Sequence, residues 1–149
     1  MTDYTHTLTN PGAESGDTTG WTAITGSNLT VRTASPAPHS GTYYFYSSDD
    51  TEFRYYQRVD LVTDGVPTAT IDAGGIWFWV EWWQSSYSEL DQGEIQIRSL
   101  NSSQVEINTQ SYGLFAAPED VWNQYVYAPI LPANTRYVDI IMHGIRYSG

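Results

Sequence analysis

Short runs of alternating β-branched and aromatic residues recur along this chain, each closed after a few positions by Gly, Pro, Asn, Asp or Ser, and apolar positions rarely fall at helical spacing. The pattern predicts an all-β protein with strands at Leu29 to Thr33, Thr42 to Ser47, Phe53 to Val59, Ile76 to Trp83, Glu94 to Leu100, Val105 to Thr109, Gln124 to Ile130 and Arg136 to His143. About eight short antiparallel strands with long irregular connections point to a jelly-roll β-sandwich rather than a meander. With 149 residues and no repeat, linker or low-complexity segment, the chain reads as one domain, 1–149, large enough to bury a core.

Two of these strands carry most of the pattern's information. In Glu94 to Leu100, Ile95 and Ile97 alternate with Glu94, Gln96 and Arg98, which predicts a core face and a solvated face. Asn101-Ser102-Ser103 then turns the chain into a return strand whose expected core positions are Val105 and Ile107. The segment Ile76 to Trp83 holds four of the six tryptophans. Period two assigns Ile76, Phe78, Val80 and Trp82 to the core and Trp77, Trp79, Glu81 and Trp83 to a face that a loop, a subunit or a ligand would cover.

Charge removes one class of partner. The formal net charge is -11 and the six cations are all arginines, so no basic stripe exists to hold a phosphate backbone, and nucleic-acid binding is set aside. No apolar run approaches a membrane span, and Met1 to Gly12 has neither a basic n-region nor an apolar core, so neither membrane insertion nor a secretory signal is expected. Without cysteine there is neither a disulfide framework nor a thiolate metal site. A cytoplasmic protein, or a virion component made in the cytoplasm, fits these absences.

Asn10 to Trp21 compresses turn formers and two carboxylates into a loop ending on a large aromatic. It reads either as a capped loop anchored by Trp21 or as a cation loop in which Glu14 and Asp17 offer oxygen ligands. The histidines, His6, His39 and His143, lack zinc spacing, and His39 and Ser40 are sequence neighbours that point apart, which argues against a Ser-His nucleophile. Sugars present apolar C–H faces and hydroxyl rims, so a glycan site needs an aromatic platform with polar groups beside it. Trp77, Trp79, Glu81 and Trp83 supply those types on one strand face, with Trp82, Tyr87 and Tyr112 as alternatives.

Several segments in order resemble one superfamily. Asn10-Pro-Gly-Ala-Glu14 with Gly20-Trp21, Pro38-His39-Ser40-Gly41-Thr42-Tyr43-Tyr44-Phe45 and Tyr56-Gln57-Arg58-Val59-Asp60-Leu61 resemble the first half of galactose-binding-like jelly rolls of the F-box-associated and carbohydrate-binding-module type. Ile71-Asp72-Ala73-Gly74, Trp83 to Ser88, Asp91 to Leu100 and Leu131 to Val138 continue the likeness over nearly the whole chain. The resemblance implies a calcium ion pinning the N-terminal loop to the final strand, with Glu14 as the matching acid, Asp17 as a second, and carbonyls near Ser40 and Gly41. It also implies a further strand after Gly144 to Gly149, ending in paired acids, which this sequence lacks. Either the sequence is a fragment, or another chain completes the sandwich, or a neighbouring strand fills the gap; an open edge there would invite strand addition.

Together these readings imply a non-enzymatic binding or adhesion module for glycans, on a bacteriophage virion as a capsid decoration or part of a tail fibre. Its partners would be a glycan or other virion subunits, in a homo-oligomer or larger assembly. Two alternatives accompany this one. The first is a purely structural virion protein whose aromatic face and open edge are buried by neighbours. The second is a hydrolase depending on Glu81 or Asp91, although the loop from Tyr87 to Gly93 reads as a scaffold.

Overall fold

In the computed structural model, which describes residues 2–87 and 90–147, the chain forms ten strands and one short helix. These are β1 (Thr22–Thr25), β2 (Thr30–Arg32), β3 (Tyr44–Tyr46), β4 (Glu52–Asp60), α1 (Thr68–Ala73), β5 (Val80–Gln84), β6 (Gln92–Leu100), β7 (Glu106–Ser111), β8 (Phe115–Ala116), β9 (Asn123–Tyr127) and β10 (Tyr137–Ile145). The large sheet has the order β1-β4-β10-β6-β7, with β8 also pairing β6, and the second layer consists of the pairs β2-β3 and β5-β9. All ladders are antiparallel, the arrangement of a β-sandwich.

Register decides which side chains form the core. Ile140 sits between Gln57 and Ile97, Met142 between Tyr55 and Ile95, and Val138 between Val59 and Ser99. One face of the large sheet therefore presents Val59, Ile95, Ile97, Val138, Ile140 and Met142, and Ile76, Phe78, Val80, Trp82 and Tyr127 pack against it from the β5-β9 layer. The period-two division of Ile76 to Trp83 is the one the molecule adopts. Its regular pairing, however, begins only at Val80. Before that, Phe78 N–H reaches Pro129 O at 2.9 Å and Leu131 N–H reaches Ile76 O at 2.8 Å. Pro129 has no N–H to donate, so the ladder is interrupted there.

Helix α1 was not foreseen from periodicity, because six residues are too few to display it. Pro67 at the N-cap holds φ at -61° and Gly74, at φ 74°, ends the helix. Between them Ile71 is fully buried and closes one end of the core.

Three expectations are corrected. The hairpin β6-β7 forms as expected, but Val105 and Ile107 are 58% and 40% exposed, because a bulge after Ser99 shifts the register and β7 is an edge strand that the second layer does not cover. The face of β6 expected to be wet holds Glu94 and Gln96 at 5% and 9% exposure. Long polar side chains lie flat on that face and cover one another: Glu94 accepts from Gln96 Nε2 at 2.8 Å and from Gly113 N–H at 2.6 Å, and His143 Nδ1 lies 2.8 Å from its other contact oxygen. Finally, the open edge that a missing last strand would leave is not found beside β10, which pairs through all nine residues with both β4 and β6. The chain's own Tyr137–Ile145 occupies the centre of the sheet, while β1 and β7 form its edges.

On the same polar face Asp139 is fully buried beneath two guanidinium groups. Arg58 Nε and Nη2 donate to its two oxygens at 2.7 and 2.9 Å, and Arg98 Nε and Nη2 donate to Oδ2 at 2.9 and 2.7 Å. Tyr56 lies under both arginines, 5.6 and 5.4 Å from ring centroid to guanidinium carbon. These charge-assisted bonds, led by those to Asp139, hold the Arg58 pKa above its ordinary value.

Candidate functional site

The two halves of the second layer do not join by backbone pairing. Between β3 and β5 lies a cleft of about 520 Å³. Its lining includes Phe53, Met142 and Gly144 of the large sheet. Gly144 is required there, since a Cβ would run into the Phe53 ring.

Side chains bridge the gap that the backbone leaves. His39, in the loop before β3, stacks on Trp83 of β5 with ring centroids 3.7 Å apart and planes 21° from parallel. Trp122 meets His39 edge-on at 6.5 Å and Tyr44 at 5.2 Å, and its indole N–H donates to Ala37 O at 2.8 Å. The Tyr44 hydroxyl donates toward Ala34 O at 3.0 Å, and burial pushes its phenol pKa up against the opposing pull of Arg32. The result is a continuous aromatic wall with its polar atoms satisfied, so the rings are held in place before any ligand arrives.

The cleft ends at a polar corner. Arg32 of β2 stands opposite Tyr44 in the β2-β3 ladder, with its guanidinium 4.1 Å above the centroid of Tyr46. Arg32, Tyr46, Ser47, Asp91 and Arg146 also line a smaller adjoining cavity of about 230 Å³.

The four residues singled out on Ile76 to Trp83 divide between two surfaces. Trp83 and Glu81 line the cleft, while Trp77 and Trp79, 64% and 65% exposed, project from the outer face of β5-β9 beside Val126 and Ile130. Glu81 is held between its neighbours: it accepts from Trp79 Nε1 at 2.8 Å and from Gln124 Nε2 at 3.0 Å. Of the alternatives, Trp82 and Tyr112 pack edge to face at 5.1 Å, and Tyr87 lies at the cleft with 59% exposure. His39, Trp122, Tyr44 and Arg32 escaped sequence reasoning. The Pro38-His39-Ser40-Gly41 turn signalled a loop, but nothing in the sequence places it over Trp83.

The loop from Asn10 to Trp21 is built as a capped loop. Asn10 Nδ2 donates to Asp17 O at 2.9 Å and Thr19 O at 3.2 Å, Ser15 N–H donates to Asn10 Oδ1 at 2.9 Å, and the Trp21 indole N–H returns to Asn10 O at 3.2 Å. Glu14 carries the loop onto the next segment. Its carboxylate accepts the backbone N–H groups of Thr42, at 3.1 and 3.0 Å, and Tyr43, at 3.0 Å, and a Cβ on Gly41 would collide with it. Asp17 turns instead to Thr19 N–H at 2.9 Å, a bond that lowers its pKa. As placed, Glu14 and Asp17 do not fit a calcium ion: the Glu14 oxygens face amide hydrogens, and no group of three or more His, Asp or Glu side chains suited to a metal occurs among the described residues.

No family model and no curated protein matches the chain. Solved structures do. The chain is similar to the enzymatically active domain of bacteriophage CBA120 tailspike protein 4, with TM-score 0.65 and 16% identity, over 95% of this chain but 19% of that one. It is also similar to the C-terminal family 22 carbohydrate binding module of a Clostridium thermocellum protein, with TM-score 0.54 and 11% identity, over 91% of this chain and 88% of that module. At these identities the likeness establishes the fold: a β-sandwich of the carbohydrate-binding-module kind.

Proposed function

We propose that this protein is a non-enzymatic glycan-binding module whose site is the cleft between β3 and β5. The observation that carries this reading is the stacked pair His39 and Trp83, continued by Trp122 and Tyr44 along a concavity of about 520 Å³. Such a wall offers π-faces to the C–H face of a pyranose, and Gln84, Ser40 and Arg32 supply polar groups for its hydroxyls. The carbohydrate binding module with the same fold supports it, since residues in its cleft bear on ligand binding. A glycan array combined with tryptophan fluorescence tests the reading. A bound sugar should quench or shift the emission, and Trp83→Ala should abolish the response; silence in both assays removes it.

The virion setting and a higher assembly belong to the same proposal. The tailspike likeness supports a phage adhesin, and the outward stripe of Trp77, Trp79, Val126 and Ile130 supports a second, structural role in which neighbouring subunits cover that face. Sedimentation of the purified chain separates the two: a stable monomer argues against obligate assembly through the stripe. The tailspike domain in the comparison is enzymatically active, so sugar hydrolysis should be assayed as well. Turnover abolished by Glu81→Gln or Asp91→Asn would overturn the non-enzymatic reading.

A further inference from the structure

Arg32 faces the cleft without an acidic partner in a chain that has 17 acidic side chains and six arginines. Such an excess of acids pairs arginines readily. Arg58 and Arg98 share Asp139, Arg136 meets Asp72 at 2.7 Å and Arg146 meets Asp49 at 3.5 Å. Arg54 is engaged by Gln96 Oε1 at 2.8 Å on the polar face of the large sheet. Among the described residues, no carboxylate lies within 4.0 Å of Arg32.

The guanidinium is nevertheless fixed. It lies over Tyr46, pairs across the ladder with Tyr44, and is half-buried at the junction of the main cleft with the smaller cavity. A stacked guanidinium keeps its in-plane N–H fork, which matches the two oxygens of one carboxylate. The acidic groups around it are Asp91, which lines the smaller cavity and accepts Tyr147 N–H at 2.8 Å, and Asp120, which is near enough to Tyr44 to raise its pKa.

We propose that the cleft takes a carboxylate-bearing sugar, a uronic or ulosonic acid residue, with its carboxylate on the Arg32 fork and its ring against the aromatic wall. The proposal rests on the reading of the cleft as a glycan site and names the class of glycan. A single unpaired guanidinium suits one carboxylate, and the net charge of -11 opposes a dense polyanion at longer range. The ligand is therefore a sugar carrying isolated acids, not a sulfated or phosphorylated chain.

Matched probes test it: 3′-sialyllactose against lactose, and a trigalacturonate against its methyl ester, titrated by calorimetry and tryptophan fluorescence. A charge-assisted pair is worth about 1.5 to 3 kcal/mol, so at least one acid form should bind about tenfold or more tightly than its neutral counterpart. Arg32→Gln should erase that preference and leave the neutral affinity unchanged, Arg32→Lys should keep part of it, and Trp83→Ala should weaken acid and neutral forms alike. A melting curve establishes that each variant is folded. Equal affinity for both members of each pair, or a preference that survives Arg32→Gln, overturns the carboxylate proposal while leaving the cleft a glycan site. Binding of neutral array glycans with no response to either acid does the same, and silence across probes and array overturns both readings.

Discussion

The His39 imidazole lies flat on the Trp83 indole, 3.7 Å between centroids, and so joins the loop before β3 to an edge of β5 that no backbone ladder reaches. The stack is worth about 0.5 to 1.5 kcal/mol beyond area burial. Its larger effect is to hold one wall of the cleft in a single arrangement. His39→Ala should therefore change stability by only about 1 kcal/mol yet make Trp83 more accessible, which acrylamide quenching of tryptophan emission measures. Unchanged quenching would show that the indole is held by other contacts.

Asp139 has no access to solvent and serves two arginines, so its removal leaves two partly buried cations without their anion. Asp139→Ala should cost about 3 to 5 kcal/mol in denaturant unfolding, as one-sided breaking of a buried pair does. Simultaneous replacement of Arg58, Arg98 and Asp139 by apolar residues of similar volume should cost less than the single change.

Glu14→Gln replaces a carboxylate that accepts N–H groups from Thr42 and Tyr43 with an amide that accepts through one oxygen only. A loss of about 1 to 2 kcal/mol is expected. Because the oxygens face donors, millimolar calcium or EDTA should leave the melting temperature unchanged; a calcium-dependent rise of several degrees would instead place a cation in this loop.

The bond from Thr19 lowers the pKa of Asp17 in the folded chain. A lowered folded pKa means stability that is present above the unfolded value near 3.9 and is lost as pH falls through the folded value. The difference in melting temperature between the wild-type chain and Asp17→Asn should therefore be constant near neutrality and shrink in the acid limb. NMR titration of the carboxyl group should give a midpoint below that of an exposed Asp in the unfolded chain.

Ile97 is fully buried at the centre of the sandwich, between β10 and β7 and beneath the β5-β9 layer. Ile97→Ala should cost about 2 to 5 kcal/mol, whereas Ile107→Ala on the exposed edge strand should cost less than about 1 kcal/mol, both by chemical denaturation. Equal losses would contradict the corrected register of the β6-β7 hairpin.

Much of the fold was legible in local pattern. Every one of the eight strands read from the sequence has a counterpart, and the alternation in Ile76 to Trp83 sorted core from surface residue by residue. The failures fell where a local rule had no local cause. Glu94 and Gln96 read as solvated because polar groups usually are; their burial depends on His143, 49 and 47 residues away, and on Gly113. Val105 and Ile107 read as core because they alternate, but a bulge and an edge position left them outside. Glu14 read as a ligand because acids in glycine-rich loops often are, while its actual partners are amides 28 and 29 residues on.

The candidate site divides in the same way. Sequence by itself determined that this is an acidic, cysteine-free β-sandwich rich in aromatics, that its tryptophans gather near one strand, and which of them face the core, because period two and composition are local properties. Only the tertiary structure decided that Trp83 belongs with His39, Trp122 and Tyr44 rather than with Trp77 and Trp79, and that Arg32 stands unpaired at the end of their wall. Those relationships join segments from β2 to the approach to β9, and their distances come from how two sheets stack and where the second fails to close, which no window of sequence contains.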